Sequence, residues 1–357
     1  MKQSTRFQQG LSLVELLISI VIGLFIITGV IRVLIDSKES YILEEETAYI
    51  QENARFLNDQ LLYDLRLASF VGCPISLLDA TVGAQPAPIN GLPNADTTPH
   101  FSSLGVRGHS SDGDGKPITS YPSAAALPGE YSNIQPDTSV LVVNYAEKID
   151  GVESISHVGN TVTFGVDPNA SNVDWGETDD VMVIADGKCK RSAIFQQSTV
   201  GPNVAYTPTN LLNGEIFNNG STLYRYRSHG YFVNKASPTT GLPALYRVSL
   251  GAGGNVASQE LLSGVESMDV YYGIYDATQA TPTIQYKSAE DVGTNEDDWR
   301  NVVSVHAVFV LRSARPVFGV DTNVDLSNGN AYLGRNYQFN DRFLRQLVTI
   351  STNLRNN

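Results

Sequence analysis

Apolar residues follow three successive patterns along the chain, and each predicts a different kind of element. Leu11 to Ile35 (LSLVELLISIVIGLFIITGVIRVLI) is almost continuously apolar, with no charged residue between Leu16 and Ile31. A helix rises about 1.5 Å per residue, so this stretch spans roughly 37 Å, enough to cross a hydrocarbon core of about 30 Å. Beyond it, Leu43, Thr47, Ile50, Ala54, Leu57, Leu61, Leu65 and Ala68 recur at spacings of three or four, an amphipathic stripe. Glu44, Glu45, Glu52, Asp59 and Arg66 fall off that stripe and read as solvated. No proline precedes Pro74, and Gly72 with Pro74 supplies a stop signal. The pattern predicts one helix from about Ser12 to about Val71, roughly 90 Å long.

From Pro74 to about Pro136 the periodicity breaks into Pro-, Gly-, Ser-, Asn- and Asp-rich sequence, which reads as a loop-like surface excursion or part of a binding face. Short β-branched or apolar runs then take over. Thr138–Tyr145, Thr161–Val166, Val181–Ala185 and Ala193–Gln197 read as short strands. Aromatic patches follow at Tyr224, Tyr226, Tyr231, Phe232 and Tyr246. Val265–Tyr275 places Met268, Val270, Tyr272 and Ile274 on one face; Val302–Leu311 does the same for Val303, Val305, Ala307, Phe309 and Leu311. Phe343–Ser351 closes the series. The fold class expected is α+β, with the exposed half of a long N-terminal helix packed on an antiparallel β-rich head. The segments are a basic N-terminus over 1–10, a membrane half of the helix over 11–35 and an exposed half over 36–72. A loop-rich insertion over 73–136 and a head over 137–357 complete the chain.

Composition narrows the function. Of 357 residues, 42% are hydrophobic and 17% charged, which supports a sizeable core. The net charge of −13 argues against a surface that grips phosphates, so no nucleic-acid contact is expected. Lys2 and Arg6 precede the apolar run and stay cytoplasmic, which puts the head on the other side of the membrane. An ordinary signal peptide would end in a small-x-small site, and Asp36-Ser37-Lys38-Glu39-Ser40 is not one. A plain anchor leaves Glu15 unexplained, since a carboxylate deep in a membrane helix costs about 2.5–3.5 kcal/mol.

Five scattered histidines show no metal-ligand spacing, and no nucleophile elbow, Walker loop or dinucleotide fingerprint occurs. No catalytic residue, cofactor or metal is expected, although Asp112-Gly113-Asp114-Gly115, the acidic run Asp174 to Asp180 and Glu296-Asp297-Asp298 offer calcium-like oxygens without a complete set. Cys73 and Cys189 are the two cysteines. In an exported head they read as one disulfide, of about 4–5 kcal/mol in the chain-entropy limit, with two buried thiols as the alternative.

Gly10-Leu11-Ser12-Leu13-Val14-Glu15-Leu16 resembles the class III signal of type IV prepilins. The resemblance implies that a membrane peptidase cuts between Gly10 and Leu11, methylates the new terminus, and leaves Glu15 as the assembly carboxylate. Leu11 stands where that family usually has phenylalanine, and Arg32 where major pilins often carry a proline. Further along, Leu67–Cys73 (LASFVGC), Asp186–Cys189 (DGKC), Gly230–Val233 (GYFV), Ala244–Arg247 (ALYR), Gly264–Met268 (GVESM), Trp299 and Thr352–Asn356 (TNLRN) resemble PilW minor pilins. The likeness implies a non-enzymatic subunit that helps initiate pilus assembly near the tip and supports twitching motility, adhesion or DNA uptake. It also implies a single-pass inner-membrane protein, its head in the periplasm until it enters the pilus. Its implied partners are other minor pilins, the major pilin, a tip adhesin, the inner-membrane assembly platform and the prepilin peptidase. A J-type pseudopilin of type II secretion and a ligand-binding module on a pilin stalk are the alternative readings.

Overall fold

The computed structural model describes residues 12–73, 89–90, 92, 100, 102, 105–117, 127–159, 161–169, 173–188, 191–207, 217, 220–251, 254–276, 283–326 and 335–354. The apolar run and the amphipathic stripe form one helix, α1 (Leu13–Leu67), of 55 residues and about 80 Å. It ends a turn earlier than the pattern predicts. Ser69 takes a left-handed φ of 66° and its N–H donates to the Asn144 carbonyl at 3.1 Å. Gly72, at φ 86°, then passes so close to the sheet that a Cβ there would meet that of Ala185 at 2.7 Å. Both the dihedral and the contact require glycine.

Among the described residues the strands run in chain order as β1 (Ile89–Asn90), β2 (Val106–Ser110), β3 (Ser139–Lys148), β4 (Val152–Val158), β5 (Thr161–Val166) and β6 (Val181–Ala185). Then come β7 (Ser192–Gln197), β8 (Asn203–Thr207), β9 (Thr222–Asn234), β10 (Ala244–Leu250), β11 (Val256–Ser263) and β12 (Val265–Asp276). After β13 (Thr283–Ser288), the short helices α2 (Ala289–Val292) and α3 (Glu296–Arg300) lead to β14 (Val302–Arg312), β15 (Thr322–Asp325), β16 (Gln338–Asp341) and β17 (Arg345–Asn353).

The long strand β9 is the hub of the larger sheet. One edge pairs with β3, from Leu141↔Tyr231 to Lys148↔Tyr224. The other edge is shared: β6 takes residues 222–225 and β10 takes 229–234. Beyond β6 the order continues β7, β8, β5, β4. Hydrogen bonds then return to the start of β9, from Ile149 N–H to Leu223 O (3.1 Å) and from Ser154 N–H to Ser221 O (2.9 Å). The result is a small closed barrel filled by Phe164, Met182, Ile184, Phe195, Phe217 and Leu223.

The second sheet has the antiparallel order β13-β12-β14-β17. Its inner residues Met268, Val270, Tyr272, Val305 and Phe309 share one core with Ile50, Leu57, Leu61 and Leu65 of α1 and with Leu141 and Tyr231 of the larger sheet. Each of those leucines contributes about 1.5–3 kcal/mol by leaving water. Trp299 closes the core, its ring edge-on to Tyr272 at 4.8 Å and its Nε1–H donating to Gly293 O at 3.1 Å. Alternation predicts Val303 on the inner face, but the pairing steps from Ser304 to Val302 opposite Gly273–Ile274. Val303 is the extra residue of that bulge, and Val302 takes the core position.

Candidate functional site

Glu15 lies in the first turn of α1, on a surface where Leu13 to Ile35 are exposed nearly throughout. The most apolar 18-residue window of this helix has a mean hydropathy of 2.7 and no residue buried against the head. Ser19 and Thr28 donate their hydroxyls back to the carbonyls of Glu15 (2.7 Å) and Leu24 (2.8 Å), which removes the cost of carrying them in hydrocarbon. The Glu15 carboxylate has no partner among the described residues. Gly10 and Leu11 lie outside the described residues.

The head takes hold of the helix at Glu46. That carboxylate, 3% exposed, accepts from the N–H of Ala314 (2.8 Å) and from Arg315 Nε (2.7 Å), while Glu45 pairs with the same guanidinium. One turn on, Tyr49 donates to Ser263 O at 3.1 Å. Near the far end Asp64 is fully buried. Its Oδ2 lies 2.6 Å from His229 Nδ1 and accepts from Tyr231, and Tyr145 donates to its Oδ1 at 3.1 Å. Burial first, and then the Asp64 charge, push the Tyr145 and Tyr231 phenols upward, so both remain donors. A helix carrying an exposed membrane half is thus fixed to both sheets by buried carboxylates at its two head-facing ends.

Sequence reasoning missed Glu46 and Asp64, though both fall on the apolar stripe, four residues before Ile50 and three after Leu61. It correctly left Glu44, Glu45, Glu52, Asp59 and Arg66 exposed. A second missed cluster holds the outer strand ends. Glu266 is the bulged residue of β12, and its carboxylate receives Arg345 Nε at 2.6 Å; Arg345 also holds Asp341 at 2.6 Å and lies over the Phe339 ring. A third lies within the segment read as loop: His100, Ser102, Arg107 and His109 are fully buried. His100 Nδ1 lies 2.6 Å from Ser228 Oγ and its Nε2 2.7 Å from the Tyr131 hydroxyl.

Cys73 is buried just past the helix end, its Sγ 4.0 Å from the Arg191 carbonyl. Cys189, two residues before Arg191, lies outside the described residues. Of the carboxylates weighed for calcium, Asp112 Oδ1 accepts from Asp114 N–H (3.0 Å) and Lys116 N–H (2.8 Å), and Asp174 pairs with Arg225 at 2.9 Å.

Two family descriptions match the sequence. Type IV Pilus-assembly protein W matches residues 230–356, from the second half of β9 through β17, and the Prokaryotic N-terminal methylation motif matches residues 5–31. The chain is a PilW-like type IV minor pilin. No curated protein and no solved structure matches it. The PilW match covers the second sheet and its clasp on α1, and the methylation motif covers the helix start with Glu15. This pilin has the α+β organisation read from its sequence, and its N-terminal helix makes it a single-pass inner-membrane protein that is later incorporated into the pilus. Its partners are accordingly other pilus components and the membrane-associated assembly system.

Proposed function

We propose that this pilin helps initiate pilus assembly and sits near the tip, as a structural subunit without catalysis. The observation that carries the reading is the union of an exposed apolar helix, whose Glu15 has no partner among the described residues, with a head of the PilW type. A carboxylate in hydrocarbon is costly alone and favourable beside an opposite charge. Cleavage between Gly10 and Leu11 would create such a charge, and removal of Lys2 and Arg6 would release that end from the cytoplasmic surface. The methylation-motif match over residues 5–31 supports this cut. Prepilin peptidase, other minor pilins, the major pilin, a tip adhesin and the assembly platform are the partners this role requires. Twitching, adhesion or DNA uptake would depend on it indirectly, through the pili. The position of Cys73 beside Arg191 supports a Cys73–Cys189 disulfide joining the helix end to the β6–β7 turn.

The test is deletion of the gene with pilus counting, followed by gold labelling of the head on sheared pili from the complemented strain. Loss of pili with label at one filament end is the expected result. Normal piliation, or label spread along the shaft, would contradict the reading.

A further inference from the structure

The head first takes hold of α1 close to the membrane. No residue of α1 before Glu46 is buried, and Glu46 is held by Ala314 and Arg315. It lies eleven residues past Ile35, the end of the apolar run, or about 16 Å along the helix. The headgroup layer fills about 5–7 Å of that gap. Apolar surface continues across it on the helix itself, where Tyr41 is 65% exposed and Leu43 42%. Tyrosine is enriched at this depth, where its ring meets acyl chains and its hydroxyl stays wet.

The segment that follows Arg315 carries a further apolar tip. Pro316 and Val320 are exposed, Val320 at 74%, and Val317 and Phe318 between them are half-buried. A second strand of chain fixes the shape of this tip: the N–H groups of Val317 and Phe318 donate to Arg342 O at 2.7 and 3.0 Å, and Arg342 Nε donates to Phe318 O at 2.8 Å. Arg315 is taken by Glu45 and Glu46, and Arg345 by Glu266 and Asp341. Arg342 is exposed and pairs with no carboxylate among the described residues. The five residues from Arg315 to Val320 can reach at most about 17 Å. Some 10 Å separate the Glu46 clasp from the headgroups, and a helix tilt of about 20° shortens that distance on one side. Val158 is as exposed as Val320, at 76%, but it belongs to the barrel, whose strands meet Cys73 past the opposite end of the helix.

We propose that the 315–320 loop is a lipid contact: before assembly it rests on the phospholipid surface of the membrane that α1 spans. Phe318 and Val320 supply the apolar tip, and the Arg342 guanidinium meets headgroup phosphate. Because α1 already holds the head at the bilayer, a small tip suffices to fix the head's orientation there. The contact precedes entry into the pilus, so it holds whether the subunit ends at the tip or in the shaft.

The probe is tryptophan at Phe318, with Val320 and Arg342 left in place, in the full chain reconstituted into vesicles of phosphatidylcholine and phosphatidylglycerol. The acyl chains are either plain or brominated near the headgroup, where bromine quenches a neighbouring indole. Trp175 and Trp299 stay in every protein, so the unsubstituted chain supplies the background. Phe318→Trp should lose about half of its added emission in brominated vesicles, and Val158→Trp on the barrel almost none. Gly319→Trp, whose side chain would start in open space, is a second probe of the same tip and should be quenched likewise. Adding Val320→Asp and Arg342→Gln to either probe should cut the quenching at least about twofold. Unquenched emission from both tip probes would overturn the proposal. So would equal quenching of Val158→Trp, or quenching that Val320→Asp and Arg342→Gln leave unchanged.

Discussion

Replacing Asp64 by asparagine removes one charge from the interface between α1 and the larger sheet while keeping the side chain's shape. Asp64 is fully buried, with His229 Nδ1 at 2.6 Å, Tyr145 at 3.1 Å and the Tyr231 hydroxyl also on it. Asparagine offers one acceptor oxygen in place of two and turns an NH2 toward groups that themselves donate. Charge-assisted bonds contribute about 1.5–3 kcal/mol each, and removing one member of a buried charged cluster costs about 3–5 kcal/mol. At about 2 °C per kcal/mol for a head of this size, Asp64→Asn should lower Tm by about 6–10 °C. The assay is near-ultraviolet circular dichroism of the mature chain in detergent at pH 7. Asp59→Asn, at an exposed position on the same helix, is the control and should melt within about 1 °C of wild type. Equal melting of both variants would mean that Asp64 does not hold the helix to the head.

Burial holds the His100 imidazole at about 3, far below its ordinary value of 6.5. The folded head therefore excludes a proton that the unfolded chain accepts below about pH 6.5. Stability from this group is complete above pH 6.5 and lost as pH falls toward 3, by about 1.4 kcal/mol per pH unit. His100→Gln should flatten that part of the curve of urea midpoint against pH; an unchanged slope would remove His100 as the cause. Cys73→Ser and Cys189→Ser should destabilise the head by similar amounts, up to about 4–5 kcal/mol, with the double variant no worse than either. Two thiols alkylated in unreduced, denatured protein would rule the bond out.

The helix was legible because its signal is local. An unbroken apolar run and a stripe at spacings of three and four name the element and most of its buried side chains. Glu46 and Asp64 were not legible, because a carboxylate on a helix reads as solvated until its partners are known. Those partners, Arg315 and His229, lie 269 and 165 residues away in sequence. Their places on the apolar stripe were the one available clue. His100, Arg107 and His109 were hidden in the same way, in sequence whose Pro, Gly and Ser content reads as loop although it supplies β2 and a buried polar cluster. Strand identities for β5, β6 and β7 came from short β-branched or apolar runs. The closure of their sheet into a barrel depends on hydrogen bonds between Ser154 and Ser221, which no local pattern encodes. Val303 marks a similar limit, since a single bulge reverses the alternation on which the face assignment rests.

The most direct test of the assembly role is pilus number per cell in a Glu15→Gln strain, with mature protein in the membrane quantified in parallel. Glutamine preserves size and hydrogen bonding but cannot offset the charge of a new amino terminus in a low-dielectric setting, and Glu15 is the one carboxylate between Leu11 and Ile35. Insertion depends on the apolar run and cleavage on the leader, so the variant should accumulate in the membrane as mature protein. Pili should be nearly absent all the same. Normal pilus numbers, with the variant recovered in sheared filaments, would show that the carboxylate does not determine assembly in this pilin.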